Sequence, residues 1–371
     1  MSDRLRRLRE KMESAGLDGF LVGAPGEDIF HTQAANRRYL AGFSGSMGWL
    51  LVTPTQAFIA VDFRYFEQAQ REAPSFVLFQ AAGGIEKWFA KLVSEAGLGG
   101  GKKIGFEPPD VTVAAFQAMK KGVESLPQAE RPRLLASPAI IQEMRAIKEP
   151  SEIEALQRAV DLGDAAFVDV SQRVEPGWTE QEVAWEIEKY ARENGAEHLS
   201  FPTIVAAGPW GAMPHAQPRD HVIEAGDSLV IDMGVIVDGY CSDLTRTIAV
   251  GKPDPKFREI YDIVLTAQRT AEELLTTGMS GEQAHMFAQN VIAEAGYGES
   301  FGHGLGHGVG LLIHEAPRLA RMSNDELKDG MVVTVEPGIY ITGWGGIRIE
   351  DQCVLENGKL RVMSHAPKLG V

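Results

Sequence analysis

The chain has 371 residues, more than one hydrophobic core usually holds, and its 44% hydrophobic and 23% charged content is that of a soluble globular protein, so two domains are expected. Thirty-six Lys and Arg stand against 51 Asp and Glu, a net charge of −15, which argues against nucleic acid and membrane surfaces as partners because both favour a basic footprint. The start MSDRLRRLREKM has no apolar signal region behind it and no run of about eighteen apolar residues occurs; Cys241 and Cys353 are too few for a disulfide scaffold, so a reduced cytoplasmic protein is expected.

In chain order, residues 3–23 read as a helix and then a strand, DGFLVG. The strand-like GWLLVT and AFIAVD follow, then the helical RYFEQAQREA, with α/β alternation to about residue 140 and no cluster of ligand-type side chains. A long helical stretch around Pro150 reads as two helices, the second opening with Pro150 in its first turn. The boundary falls between 140 and 150, giving domains 1–145 and 146–371.

The second domain contains an internal repeat. GWTEQEVAWEIEKYARENG (177–195) parallels GMSGEQAHMFAQNVIAEAG (278–296), and both open on a capping-box pattern, Thr179/Glu182 and Ser280/Gln283. Further on, GDSLVIDMG parallels GMVVTVEPG, and PHAQP with His215 parallels IHEAP with His314. Two α/β halves related by a pseudo-twofold are the expectation, an α+β domain built by duplication.

Each half then offers a hairpin with two acids. Asp238-Gly239 between alternating apolar runs signals a two-residue turn, which sets Val237 opposite Tyr240 and Asp243 opposite Gly234. Asp232 is then diagonal to Asp243 on the same face, roughly 7–8 Å away. In the second half a five-residue loop TGWGG would pair Ile341 with Ile347, so that Glu350 faces Gly338 with Glu336 diagonal to it. In both, a glycine opposite the second acid leaves room. Acids in apolar strands are costly to bury unless paired or coordinating, so the duplicated arrangement points to a hard, oxygen-rich metal site. Four carboxylates suit two divalent ions, Mn²⁺ first and Co²⁺ or Zn²⁺ as alternatives; such a pair activates water and stabilises an oxyanion. Asp238 reads as turn, Asp351 has the wrong strand parity and Cys241 reads as a buried apolar residue.

The segment GHGLGHGVGLLIHEAP (302–317) lacks the ending of a phosphate loop, and no H-E-x-x-H is present. One of His303, His307 and His314 is a candidate nitrogen ligand, and spacing alone does not choose among them.

Asp232, Asp243, His307, Glu336 and Glu350, within IDMGVIVDGYCSDLTRT, GHGLGHGVGLLIHEAP, TVEPGIY and GIRIED, resemble the five metal ligands of the pita-bread metallopeptidases: methionine aminopeptidases, prolidases and aminopeptidases P. RRYLAGFSGSMGWLLVT and VDFRYFEQAQ resemble the creatinase-type N-terminal domain, which favours the proline-specific branch. The resemblance implies a pita-bread catalytic domain behind a smaller α/β domain, with two metal ions per subunit. It assigns His307 to the metal, makes His215 and His314 the histidines flanking the scissile carbonyl, and makes Glu336 both ligand and proton shuttle. His303 becomes a supporting residue, Arg348 an electrostatic anchor and Arg318 a contact for the substrate carboxylate; Phe201 is a pocket candidate. The implied substrates are proline-containing peptides, cleaved by aminopeptidase P-like or, alternatively, prolidase-like hydrolysis, in a homodimer. A metal-free creatinase-like hydrolase or a non-catalytic peptide-binding protein would lack these ligands.

Overall fold

The computed structural model describes residues 3–23 and 35–368. It divides into two compact units, Met1–Arg145 and Ala146–Val371.

The first unit is built on a six-stranded mixed sheet whose order is Val77–Gln80, Ala57–Val61, Trp49–Val52, Gly19–Val22, Lys103–Phe106, Arg133–Ala136. Trp49–Val52 and Ala57–Val61 are buried at every position, so helices must cover both faces; Ile85–Glu95 packs on one of them through Trp88, Phe89, Leu92 and Val93. RYFEQAQREA forms a short 3₁₀ turn, Phe63–Tyr65, running into the helix Phe66–Glu72.

The second unit begins where the sequence places its proline. The helix Ile140–Ala146 ends on the second unit's first residue, and a new helix, Pro150–Ser171, starts with Glu149 as its cap and Pro150 in its first turn. The two repeat helices, Glu180–Glu193 and Gly281–Glu294, both carry closed capping boxes. In each, the cap hydroxyl accepts from the third-position N–H, while the third side chain accepts from the cap N–H, at 3.1 and 2.7 Å for Thr179/Glu182.

Strand alternation sorts the side chains of each half. On Ser228–Met233, Leu229, Ile231 and Met233 pack with Phe167, Val183 and Ile187 of the helices, which turns Asp232 to the other face. In the second half Val333 and Val335 pack with Ile260, Val264 and Ala288, which turns Thr334 and Glu336 the opposite way. Each half thus has its own helix-side core, and the acids of both lie on the face away from it.

The first hairpin has the expected register: Val237 pairs with Tyr240, Leu244 with Met233 and Thr245 with Asp232, which leaves Asp243 opposite Gly234. The second differs. Ile347 pairs with Ile339 and Ile341 with Gly345, so the loop is Thr342–Trp344, three residues instead of five. Val335 pairs with Asp351, which sets Glu350 opposite Glu336, while Gly338 faces Arg348. A shift of two keeps every side chain on its face, so the acids still converge, directly across from one another and not on a diagonal. The room left by the glycines also serves other neighbours. A Cβ on Gly234 would lie 2.0 Å from the Ser242 carbonyl oxygen, and one on Gly338 would lie 2.6 Å from the Tyr340 hydroxyl.

Candidate metal centre and active site

The two hairpins meet edge to edge. The Glu350 N–H donates to the Thr245 carbonyl at 3.0 Å, and the Thr247 hydroxyl and Arg348 backbone bond each other in both directions at 2.9 and 3.0 Å. This brings Asp232, Asp243 and Glu350 together, one carboxylate oxygen of each lying within 4.8 Å of the others. Glu336 joins from the facing strand. Burial raises the pKa of Asp243 and Glu350 well above the carboxylate range, with the neighbouring acids adding to it, and pushes Glu336 up to about 7.

His307 sits on the short strand Gly306–Gly308, held by a bond from its N–H to the Thr334 hydroxyl. Its Nδ1 lies 3.1 Å from the Gly308 carbonyl oxygen, which can only accept, so Nδ1 carries the proton and the Nε2 lone pair points into the cluster. Nε2 is 3.4 Å from Glu336 Oε1 and 3.6 Å from Asp243 Oδ2. Burial lowers the pKa of His307, which keeps the ring neutral. A lone pair facing two carboxyl oxygens sets three ligand atoms around one gap, an arrangement that a divalent cation satisfies. Asp232 Oδ1 is also buried with no hydrogen-bond partner. The donor set, four carboxylates and one imidazole, fits divalent ions of the Mn, Co and Zn type.

Three of the cluster's oxygens accept hydrogen bonds from neighbouring side chains. Thr245 donates to Glu350 Oε2 at 2.6 Å, and Thr334 to Glu336 Oε1 at 3.1 Å. Arg348 donates to Asp232 Oδ2 at 2.5 Å and to the Tyr340 hydroxyl at 2.8 Å. His303 continues this chain. Its Nδ1 donates to the Gly304 carbonyl at 2.7 Å, so its Nε2 accepts from the Tyr340 hydroxyl at 2.9 Å. Burial, then the Arg348 charge, lowers His303 to about 4 and keeps it neutral.

His314 lies beside the cluster with its ring edge-on to His307, centroids 4.3 Å apart. Although the residue is exposed overall, partial burial of its ring and then the nearby His307 and His215 lower it to about 4. His215 stands in an exposed turn after the 3₁₀ segment Gly208–Ala212, close enough to act electrostatically on His303, His314 and Glu336. Arg318 is opposite His307 on the strand Glu315–Leu319; its guanidinium is exposed and has no hydrogen-bond or ion-pair partner among the described residues. Phe201 packs by Gly234, where an added Cβ would come within 3.0 Å of its ring. Cys241 is buried among apolar side chains, Asp238 pairs with Arg158 in the turn, and Asp351 pairs with Arg246 and Lys368 outside the cluster.

Sequence reasoning missed Tyr340, Thr245 and Thr334. Tyr340 carried a usable signal: it lies four residues after Glu336 on the same strand face, directly within TVEPGIY.

Two acid-bearing hairpins related by a pseudo-twofold, with an imidazole between them, define a metallopeptidase centre. The chain belongs to metallopeptidase family M24, whose model matches residues 154–357, and the creatinase/prolidase N-terminal domain matches residues 4–147. The chain is 36% identical over 363 residues to a Xaa-Pro dipeptidase of Pyrococcus horikoshii, covering 98% of this chain and 97% of that one. Among solved structures it resembles the Xaa-Pro dipeptidase from Bacillus anthracis, at 40% identity and TM-score 0.90 over 99% and 98% of the two chains. It also resembles the X-Pro aminopeptidase from Thermotoga maritima, at 34% identity and TM-score 0.87 over 99% of both. No helix among the described residues is long and apolar enough to cross a membrane.

Proposed function

We propose that this metallopeptidase hydrolyses the bond before proline, with Xaa-Pro dipeptides as its first substrates. Asp232, Asp243, His307, Glu336 and Glu350 would hold two divalent ions, Mn²⁺ as the first choice. The observation that carries the reading is the His307 Nε2 lone pair set against the Asp243 and Glu336 carboxyl oxygens at 3.6 and 3.4 Å. Bound there, the ions supply Lewis acidity toward the peptide carbonyl and make water a nucleophile near neutral pH.

The chain's own groups do the rest. The bond before proline has no amide hydrogen, and its leaving nitrogen must be protonated as the bond breaks. Glu336, a carboxylate of the cluster, takes a proton from the attacking water and delivers it to that nitrogen. His314, neutral, donates from its ring to the oxyanion that forms on the carbonyl, and His215 flanks it from the first half. Arg348 pairs with Asp232, and the Tyr340–His303 chain fixes Arg348.

Substrate length rests on Arg318. A guanidinium opposite His307, unpaired among the described residues, suits a free carboxylate placed just behind proline, as in a dipeptide. The similarity to named Xaa-Pro dipeptidases supports the same choice. The second reading, aminopeptidase P-like cleavage of longer peptides, draws on the likeness to the Thermotoga maritima aminopeptidase. Turnover of Xaa-Pro against Xaa-Pro-Pro separates them: the dipeptide alone should be cleaved well, and Arg318→Met should raise its KM by about tenfold or more. Preference for the longer peptide would overturn the first reading. Chelation should abolish turnover and Mn²⁺ restore it; full activity in metal-free protein would remove the metal mechanism altogether. A homodimer in the cytoplasm is the proposed working form.

A further inference from the structure

His314 sits at the end of a loop that returns from Gly308 to the strand Glu315–Leu319, and that loop is closed by its own next residue. Glu315 Oε1 accepts from the Leu312 N–H at 2.9 Å, and the same carboxylate lies over Gly310, where a Cβ would come within 2.7 Å of Oε2. The Gly310 N–H in turn donates to the Leu312 carbonyl at 3.0 Å, and the Gly310 carbonyl accepts from the Cys241 N–H at 2.8 Å. Beyond this turn, Glu315 Oε2 meets the Lys148 ammonium at 3.4 Å, with side chains 5% and 1% exposed. Lys148 is itself held by its backbone N–H donating to the Gly330 carbonyl at 2.8 Å, two residues before the helix Pro150–Ser171 begins.

We propose that Lys148 and Glu315 are positioning residues for His314. The Leu312 N–H holds one oxygen of the Glu315 carboxylate and the Lys148 ammonium the other, so the carboxylate is fixed at both ends. That carboxylate shapes the Gly310–Leu312 turn, and the turn decides where the adjacent imidazole points. Neither side chain enters the metal cluster: Lys148 and Glu315 lie outside the group formed by Asp232, Asp243 and Glu350. Their loss would act on the orientation of one catalytic ring and leave the donor set whole. The proposal rests on the reading of His314 as the oxyanion donor.

The test is a mutant cycle in the full-length, Mn²⁺-loaded protein with an Xaa-Pro dipeptide. Lys148→Met and Glu315→Gln should each lower kcat by about tenfold to a hundredfold, the usual cost of losing an orienting partner, with KM changed little. Lys148→Arg should recover most of the loss. The double variant K148M/E315Q removes both charges of the pair and so keeps the question open to measurement if a single variant folds poorly; it should match Glu315→Gln. In a His314→Ala background, Lys148→Met should cost less than about threefold, because the ring it orients is gone. Bound Mn²⁺, counted by elemental analysis, should stay at the wild-type value throughout. The proposal is overturned if Lys148→Met costs as much without His314 as with it, or if bound Mn²⁺ falls in step with kcat. Full activity of His314→Ala would instead remove the oxyanion-donor reading, an outcome distinct from failure of the Lys148 effect.

Discussion

The Arg348 guanidinium reaches the acids of the cluster, bound on two sides by Asp232 and the Tyr340 hydroxyl, with its Nε donating to the Thr245 hydroxyl at 3.1 Å. Burying it is tolerable because Asp232 and Tyr340 are fixed from outside: Tyr340 by His303, and Asp232 by its strand. Arg348→Met should therefore lower the stability of the metal-free protein by about 3 kcal/mol, measured by urea unfolding, since it adds an uncompensated carboxylate to a crowded acidic site. Arg348→Lys should recover less than half of that, because an ammonium does not span both partners. An unchanged midpoint in Arg348→Met would mean that Asp232 is not held by this pair. At this scale the sequence was informative about residue type and strand parity. It was silent about Glu315, whose partner Lys148 lies 167 positions away and shares no pattern with it.

The hairpins show why some registers can be read from sequence and others cannot. Asp238 has φ +52 and Gly239 φ +78, the left-handed pair a two-residue turn needs, so Asp-Gly left one pairing for the first hairpin. Thr342–Trp344 and the glycines after it allow a three- or five-residue loop with the same face pattern, and alternation cannot tell two such registers apart. The capping boxes were legible because both partners lie within four residues. Two substitutions separate these effects. Thr179→Ala removes one cap and should cost about 1 kcal/mol in denaturant unfolding. Gly234→Ala sets a methyl 2.0 Å from the Ser242 carbonyl, which is backbone and cannot rotate away; it should cost at least about 3 kcal/mol and lower Mn²⁺ affinity, because Asp232 and Asp243 flank the distortion. Equal costs for the two would argue against the register assigned to this hairpin.

Across the molecule, burial raises carboxyls in the first unit as it does in the second. In the first, Asn36 donates to both Glu107 Oε2 and Asp110 Oδ2, at 2.8 and 2.6 Å, and accepts from Arg145 at 2.8 Å. Burial pushes Glu107 up to about 7 and Asp110 up to about 6. A carboxyl raised in this way binds more protons folded than unfolded, so its contribution is present at low pH and is lost as pH rises from about 4.5 to 7. Unfolding of the first unit should become easier by up to about 3 kcal/mol over that window. Glu107→Gln should flatten the slope, measured as denaturant midpoint against pH; an unaltered slope would place its origin elsewhere. The division into two units and the duplicated second half were visible in composition and repeat, because each depends on whole segments. How the halves join was not, since those contacts link residues about a hundred positions apart.

That junction bears on the order in which the molecule can mature. Thr245 and Glu350, whose side chains meet at 2.6 Å, are separated by 105 positions, and neither hairpin alone brings more than two of the acids together. Closing a loop of that length precedes any reward from the contact, so the cluster is expected to form late in folding. A chain with only its first hairpin formed would offer two carboxylates and no imidazole. High-affinity ion uptake should therefore coincide with docking of the halves, making the rate of Mn²⁺ capture during refolding a clock for that step.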